Sequence, residues 1–273
     1  MKRLACIGDH CVDLYRELGL TNPGGNTVNV AVFLRRLGAE ATCFGAVGTD
    51  REGEMLLQAA KAKGVDMSHV QILPGKTART YVDMVEGNRV FTAYDEGVMA
   101  DFALRGGDLD AICRHDLAVA SIWGHVEHEM AGIRARGIPT AMDLADIPDD
   151  PTAQCALPGL DIAFFSDDTA APQAVREKMQ AIAAKGPRIV VAMRGAEGSI
   201  AWDGQAFYTQ GSIPVKVVDT LGAGDSYIAG FLLSWLEGLP IPACMEAGAK
   251  TPPSPSPTRA RGNKVAARGP APP

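Results

Sequence analysis

At 273 residues with 47% hydrophobic side chains, the chain can bury one large core, which predicts one α/β domain with an appendage. Its net charge is −6, and five cations with no acids fall from Lys250 onward, so the rest is more acidic than the total; that argues against nucleic acid as the main partner. No long apolar run or signal peptide directs the chain to or across a membrane, and six cysteines without Cys-x-x-Cys or zinc spacing fit reduced thiols in a cytoplasm.

In chain order, Leu4-Ala5-Cys6-Ile7-Gly8 reads as a central strand of a parallel sheet. It delivers Asp9 and Asp13 to its C-terminal end, where open α/β sheets place ligands. Pro23-Gly24-Gly25-Asn26 then opens a helix with Val30, Phe33, Leu34 and Leu37 on one face and Gly38 at its end. A strand over 42–47 leads to Gly48-x-Asp50-x-x-Gly53, with Asp50 expected to cap the next helix. Strands are predicted over 69–73, 77–85 and 89–94, with Glu86-Gly87-Asn88 as a turn. No helix separates them, so all three are expected to be antiparallel and to stand apart from the parallel sheet. From Leu117, strands near 117–123, 139–144, 160–165 and 188–193 alternate with helices. Gly195 and Gly198 shape a turn before a strand over 199–202.

The stretch that organises the rest is Asp219-Thr220-Leu221-Gly222-Ala223-Gly224-Asp225-Ser226. Before it, Ile213, Val215 and Val217 alternate as a strand would. After it, Ile228, Phe231, Leu232, Trp235 and Leu236 recur at helical spacing until Gly238 and Pro240. A glycine-rich turn at a helix N-terminus presents free amides and the positive end of the dipole, which suits a transferring phosphoryl group. Asp225 is placed to accept the proton of an attacking hydroxyl. Taken alone, the turn is equally an N-capped helix start. Paired with Gly24-Gly25-Asn26-x-x-Asn29, however, it resembles the two signatures of the ribokinase-like (PfkB) sugar kinases, a resemblance running from Met1 to about Lys250. The phrases Gly8-Asp9-His10-Cys11-Val12-Asp13, Glu96-Gly97-Val98-Met99-Ala100-Asp101-Phe102, Ile122-Trp123-Gly124-His125 and Ser199-Ile200-Ala201-Trp202-Asp203-Gly204 narrow it to members acting on an Amadori compound, a sugar joined to the amino group of lysine.

This resemblance implies a ribokinase-like three-layer sandwich over 1–250, with a mostly parallel central sheet. A small β lid is expected from strands of about 68–95 and part of 10–22, pairing two subunits into a homodimer and excluding water. The implied activity is ATP-dependent phosphorylation of the 6-hydroxyl of a sugar or sugar-amine, fructoselysine foremost. A kinase of fructose or ribose and a catalytically impaired sugar-binding relative are the alternatives. Asp225 would be the base, with the amides of Gly222, Ala223 and Gly224 stabilising the phosphoryl group. The sugar would be held by Asp9, Asp13, Gly24, Gly25, Asn26, Asn29, Glu96, Met99 and His125. A carboxylate such as Asp13 offers several lone pairs to a vicinal diol. By their own surroundings, Asp9 reads equally as a solvated loop residue, Met99 as packing, and His125 as bonded to its neighbours. ATP would lie against Arg194, Gly195, Gly198, Thr220, Gly222 and Gly224, although Arg194 also fits a simple β-turn. Asp219 and Leu221 match part of a monovalent-cation loop. Relatives order Mg²⁺ through Asn-x-x-Glu; Ser166-Asp167-Asp168-Thr169 departs from that pattern, leaving Asp167 and Asp168 as substitutes.

Two other classes are disfavoured. There is no G-x-x-x-x-G-K-[ST] loop, and the first strand ends in Gly-Asp-His-Cys rather than the G-x-G-x-x-G of a dinucleotide-dependent oxidoreductase. After Lys250 the helical pattern collapses into Thr251-Pro252-Pro253-Ser254-Pro255-Ser256-Pro257, and 251–273 is expected to be a disordered tail. Codons for this stretch can be chosen so that restoring one nucleotide reads Asn-Ala-Ala-Val-Thr-Val-Thr-Tyr-Gln-Gly-Ala-Trp followed by a stop. That matches the Tyr-x-Gly-Ala-Trp ending of relatives, so a frameshift is the expected origin of the tail.

Overall fold

The computed structural model describes residues 1–85, 88–213 and 222–253. Its centre is β1 (Arg3–Ile7), whose alternate side chains serve two cores: Leu4 and Cys6 pack to one side, Ala5 and Ile7 to the other. A strand apolar on both faces needs cover on both, and it lies between parallel neighbours β4 (Glu40–Gly48) and β8 (Leu117–Ser121).

The small sheet contains β2 (Cys11–Tyr15) and β3 (Leu20–Pro23), joined by β6 (Ala78–Val85) and β7 (Asn88–Asp95) in the order β3-β2-β6-β7. β2 runs parallel to β6, and the other two pairings are antiparallel. This sheet matches the expected lid with one correction. Strand β5 (Asp66–Leu73) joins the main sheet, parallel to β4, because helix α2 (Arg51–Ala62) supplies the crossover that parallel strands require. Of the three predicted strands, only β6 and β7 pair with each other, and they are antiparallel as expected. Residues 86 and 87 of the predicted turn between them lie outside the described residues.

The main sheet continues through β9 (Thr140–Asp143), β10 (Ile162–Ser166) and β11 (Ile189–Met193), all parallel, then antiparallel through β12 (Ser199–Trp202) and β13 (Phe207–Gln210). Among the described residues it has nine strands in the order β13-β12-β11-β10-β9-β8-β1-β4-β5. One face is covered by α1 (Asn26–Arg36) and α2, with α7 (Ala223–Leu236) and α8 (Ile241–Lys250). The other is covered by α3 (Asp108–Ile112), α4 (Met130–Ala135), α5 (Pro151–Ala156) and α6 (Pro172–Ala183). This is the three-layer α/β sandwich expected from the sequence.

The helix predictions hold in detail with one exception. Val30, Phe33 and Leu34 of α1 are buried, whereas Leu37 is 40% exposed because the helix ends at Arg36 and the chain turns outward. Asp50 caps α2, accepting from the Gly53 amide at 3.0 Å. In α7, Ile228, Phe231 and Leu232 are fully buried, and Phe231 meets Phe164 of β10 edge-on at 5.4 Å. The strand expected around Val215 and Val217 lies outside the described residues, as does the tail from 254 onward. Among the described residues, no helix is long and apolar enough to cross a membrane.

Candidate active site

The C-terminal ends of β1 and β9 meet the N-termini of α1 and α7, and the small sheet lies over them. Between these elements is a cavity of about 840 Å³ whose wall includes Asp9, Asp13, Gly25, Asn26, Asn29 and Gly222 to Asp225, with Thr80 and Tyr94 from the lid. Residues far apart in sequence are therefore joined in one site at the end of the sheet where open α/β folds hold ligands.

The glycine pair permits this convergence. Gly25 has φ +95°, and a Cβ there would stand 2.2 Å from the Asp9 carbonyl oxygen. A Cβ on Gly24 would lie 2.8 Å from both carboxylate oxygens of Asp13, so that carboxylate keeps its room only beside glycine. The Gly24 amide is not available to a sugar; it donates to the Cys11 carbonyl at 2.9 Å. The next amide but one, that of Asn26, donates to Asp9 Oδ2 at 2.7 Å and ties the start of α1 to the end of β1.

Asn26 then connects two acids that approach from different elements. Its Nδ2 donates to Asp143 Oδ2 at 2.8 Å and to Asp225 Oδ1 at 2.6 Å. Asn29 Nδ2 donates to Asp225 Oδ2 at 2.9 Å, so both oxygens of Asp225 are held by amides of α1. The first bond within α7 runs from the Ser226 amide to the Gly222 carbonyl at 2.8 Å. The amides of Ala223, Gly224 and Asp225 precede it, at the positive end of the helix dipole.

The electrostatics are those of crowded carboxylates. Burial pushes Asp9 up to about 6, opposed by the Asn26 amide. Burial likewise raises Asp143 to about 6, against the amides of Ala145 and Asn26 and helped by Asp9 and Asp146. Asp225 rises well above the usual carboxylate range through desolvation and the neighbouring charge of Asp143, then of Asp9 and Asp13, partly offset by Asn29. By surface exposure Asp225 is only half-buried, because the cavity reaches it; the protein packed around it still strips most of its water. Three non-glycine residues with positive φ follow strands that end at or beside this cavity: Asp9 (20°), His125 (53°) and Ala145 (52°). Strained backbone of this kind persists where surrounding structure over-determines it, as functional sites do.

Other expected residues are placed differently. Met99 is fully buried in the core beneath β4 and β8 and does not line the cavity, so packing accounts for it. Glu96 and His125 stand outside the wall, exposed, with Nε2 and Oε2 3.7 Å apart. Arg194 is 7% exposed and spends its guanidinium on carbonyls, Nη2 to Ala170 at 2.8 Å and Nε to Asp167 at 3.3 Å. It thus braces the loop after β10 rather than facing phosphate. Gly195 and Gly198 form the tight turn between β11 and β12 as expected. Asp219, Thr220 and Leu221 lie outside the described residues.

For magnesium, the described residues contain no group of three His, Cys, Asp or Glu side chains that could hold an ion. Asp167 is committed to Lys178 Nζ at 2.8 Å and to the Ala170 amide, which hold its carboxyl below the usual range. Asp168 is exposed beside Gly195. Among the described residues there is thus no protein cage for a magnesium ion. Sequence reading missed Asp143, although a carboxylate closing a predicted strand obeys the same rule that pointed to Asp9. It also missed the cavity-lining Cys11, Thr80, Tyr94, Trp123 and Asp146.

Comparison with known proteins agrees with this geometry. Fructoselysine 6-kinase of Shigella flexneri is 47% identical over 251 residues, 91% of this chain and 95% of that protein. A fructosamine kinase of Bacillus subtilis is 30% identical over 253 residues, 91% of this chain and 89% of the relative. Among solved structures, the ribokinase of Arabidopsis thaliana complexed with ribose and ATP matches with a TM-score of 0.80 at 20% identity, covering 91% of each chain, which shows the shared fold. The sequence profile of the pfkB family carbohydrate kinases matches residues 1–251, and the chain belongs to that family.

Proposed function

We propose that the protein transfers the γ-phosphoryl group of ATP to the 6-hydroxyl of fructoselysine. The observation that carries this reading is Asp225, fixed by Asn26 and Asn29 at the N-terminus of α7 and open to the cavity. Its raised proton affinity makes it a stronger base than an ordinary carboxylate, able to take the proton as the hydroxyl attacks. The first-turn amides of α7 face the charge that develops on the phosphoryl group. Asp13 and Asp9 accept hydrogen bonds from sugar hydroxyls, and the small sheet keeps competing water away. Magnesium bound with the nucleotide would neutralise phosphate charge. The substrate choice rests on the 47% identity to a fructoselysine 6-kinase, far above the 20% shared with the ribokinase of Arabidopsis thaliana.

A second reading, a sugar-binding relative impaired in nucleotide use, is favoured by one feature. The family match ends at residue 251, and Ser226 Oγ, one residue past Asp225, donates to the Thr251 carbonyl at 3.2 Å. The chain thus leaves the family pattern beside the catalytic turn. ATP consumption measured with fructoselysine, fructose and ribose side by side separates the readings. Preferential turnover of fructoselysine is expected. Sugar binding without nucleotide-dependent turnover would favour the impaired relative, and a preference for fructose or ribose would overturn the substrate. We also infer a homodimer through the small sheet, whose edge strands among the described residues are β3 and β7. The six unpaired cysteines are consistent with a reducing compartment.

A further inference from the structure

We propose that the outer wall of the cavity, built from Tyr94 and Trp123 with the carboxylates of Asp146 and Glu96 at its margin, is the subsite for the cationic, amine-linked part of the substrate. This rests on the sugar-amine reading above and extends it to the residues that recognise the amine.

Trp123 lines the cavity yet remains 40% exposed, unusual for so large an apolar side chain in this protein. Its position is enforced rather than loose. It lies in the turn after β8, where the next residue, Gly124, is pressed against Gly8. A Cβ on Gly8 would come within 2.2 Å of the Gly124 Cα. The following residue, His125, accepts a left-handed φ of 53°. The backbone that fixes Asp9 therefore also fixes the turn that carries the indole. Across from it, the Tyr94 ring centroid lies 6.1 Å away, tilted by 51°. The Tyr94 hydroxyl is buried without a hydrogen-bond partner, although it belongs to a cavity-lining residue. A buried hydroxyl left unpaired, able to accept as well as donate, points to a ligand group that completes it.

Charge supplies the chemical class. Asp9, Asp13, Asp146 and Asp225 line the cavity, and among the described residues no lysine or arginine does. Glu96 adds another carboxylate just beyond Tyr94, beside His125. A secondary alkylamine is protonated at neutral pH, as lysine is. The ammonium of an Amadori compound would meet aromatic faces and acids here, an attraction unavailable to a neutral hexose. Asp146 and Glu96 disfavour phosphate at this end, whereas the first-turn amides of α7 leave the nucleotide a place at the other.

The test compares kcat/KM for fructoselysine with that for a neutral analogue in which an ether oxygen replaces the amine. The wild type should prefer the amine. Trp123→Ala should reduce that preference about tenfold, within the range a desolvated cation–π contact spans. Trp123→Phe should restore part of it, and Glu96→Gln with Asp146→Asn should reduce it in a manner that added salt mimics. Each variant is scored by the ratio of its two substrates, so loss of folded protein cancels. An unchanged ratio in Trp123→Ala, with the wild-type preference intact, overturns the subsite alone. A wild type that favours neither fructoselysine nor the amine over its neutral counterparts overturns both the subsite and the substrate assignment.

Discussion

Asp143→Asn removes one charge from the floor of the site and tests whether these carboxylates set each other's basicity. The folded protein holds a proton on Asp143 up to pH about 6, whereas an unfolded aspartate releases it near the ordinary value of 3.8. The folded state therefore binds the proton more tightly, and stability falls as pH rises from about 4 to about 6, then levels off. At about 1.4 kcal/mol per unit, this two-unit gap corresponds to about 3 kcal/mol. Asp9 titrates over the same window for the same reason, mainly burial. Urea unfolding of the wild type at a series of pH values should show this decline, and Asp143→Asn should show a decline shallower by about 3 kcal/mol. The variant also loses an acceptor for the amide of Ala145 or Asn26, at about 1–3 kcal/mol, but that loss shifts the whole curve and leaves its slope alone. Activity gives a second reading. Asp143 is the foremost charge raising Asp225, so its removal should move the acid limb of kcat/KM to lower pH. An acid limb that stays in place or moves up, together with an unchanged stability profile, would refute the electrostatic account.

Four further outcomes are expected. Asp225→Asn should lower kcat by roughly 10²–10⁴ while calorimetry still detects sugar binding, and turnover near the wild-type rate would remove Asp225 as the base. Asp13→Ala should weaken sugar affinity more than ATP affinity; an equal loss of both would contradict its placement against the sugar. Sedimentation at micromolar concentration should find a dimer, and a monomer would count against pairing through the small sheet. Resequencing the DNA beyond the Lys250 codon should reveal codons compatible with the restored frame, and incompatible codons would sink the frameshift origin of the tail.

Much of the architecture was legible because it depends on local pattern. The run Leu4 to Ile7, apolar at every position, matched a strand buried on both faces, and the 3.6-residue spacing of Ile228, Phe231 and Leu232 marked the helix α7, every residue of which is buried from Ser226 to Leu232. Alternation alone does not say which sheet a strand joins. The segment 69–73 looks like its neighbours in the lid, and only the helix before it, α2, marks it as a parallel strand. Asp225, Asn26 and Asn29 were legible through their glycine-rich surroundings. Asp143 stands in an unremarkable Met-Asp-Leu, and its significance comes from the Asn26 amide, 117 residues away in sequence. Arg194 misled for the converse reason: a cation beside a glycine turn suggests phosphate, but nearby backbone carbonyls claim its donors first.

The orientation of Asn26 has a consequence for what the site can accept. Its amide nitrogen faces Asp143 and Asp225, and turning the group over would set its oxygen against two carboxylates. The two acids therefore act as a latch on the amide, holding Oδ1 the other way, where it is buried and has no partner. With Asp9 and Asp13 in the same wall, the side chains offered to the sugar present lone pairs and few hydrogens. Such a surface reads a polyol by its O–H bonds. A sugar masked as its methyl ethers would keep nearly the same outline yet leave those lone pairs facing one another across an empty bond.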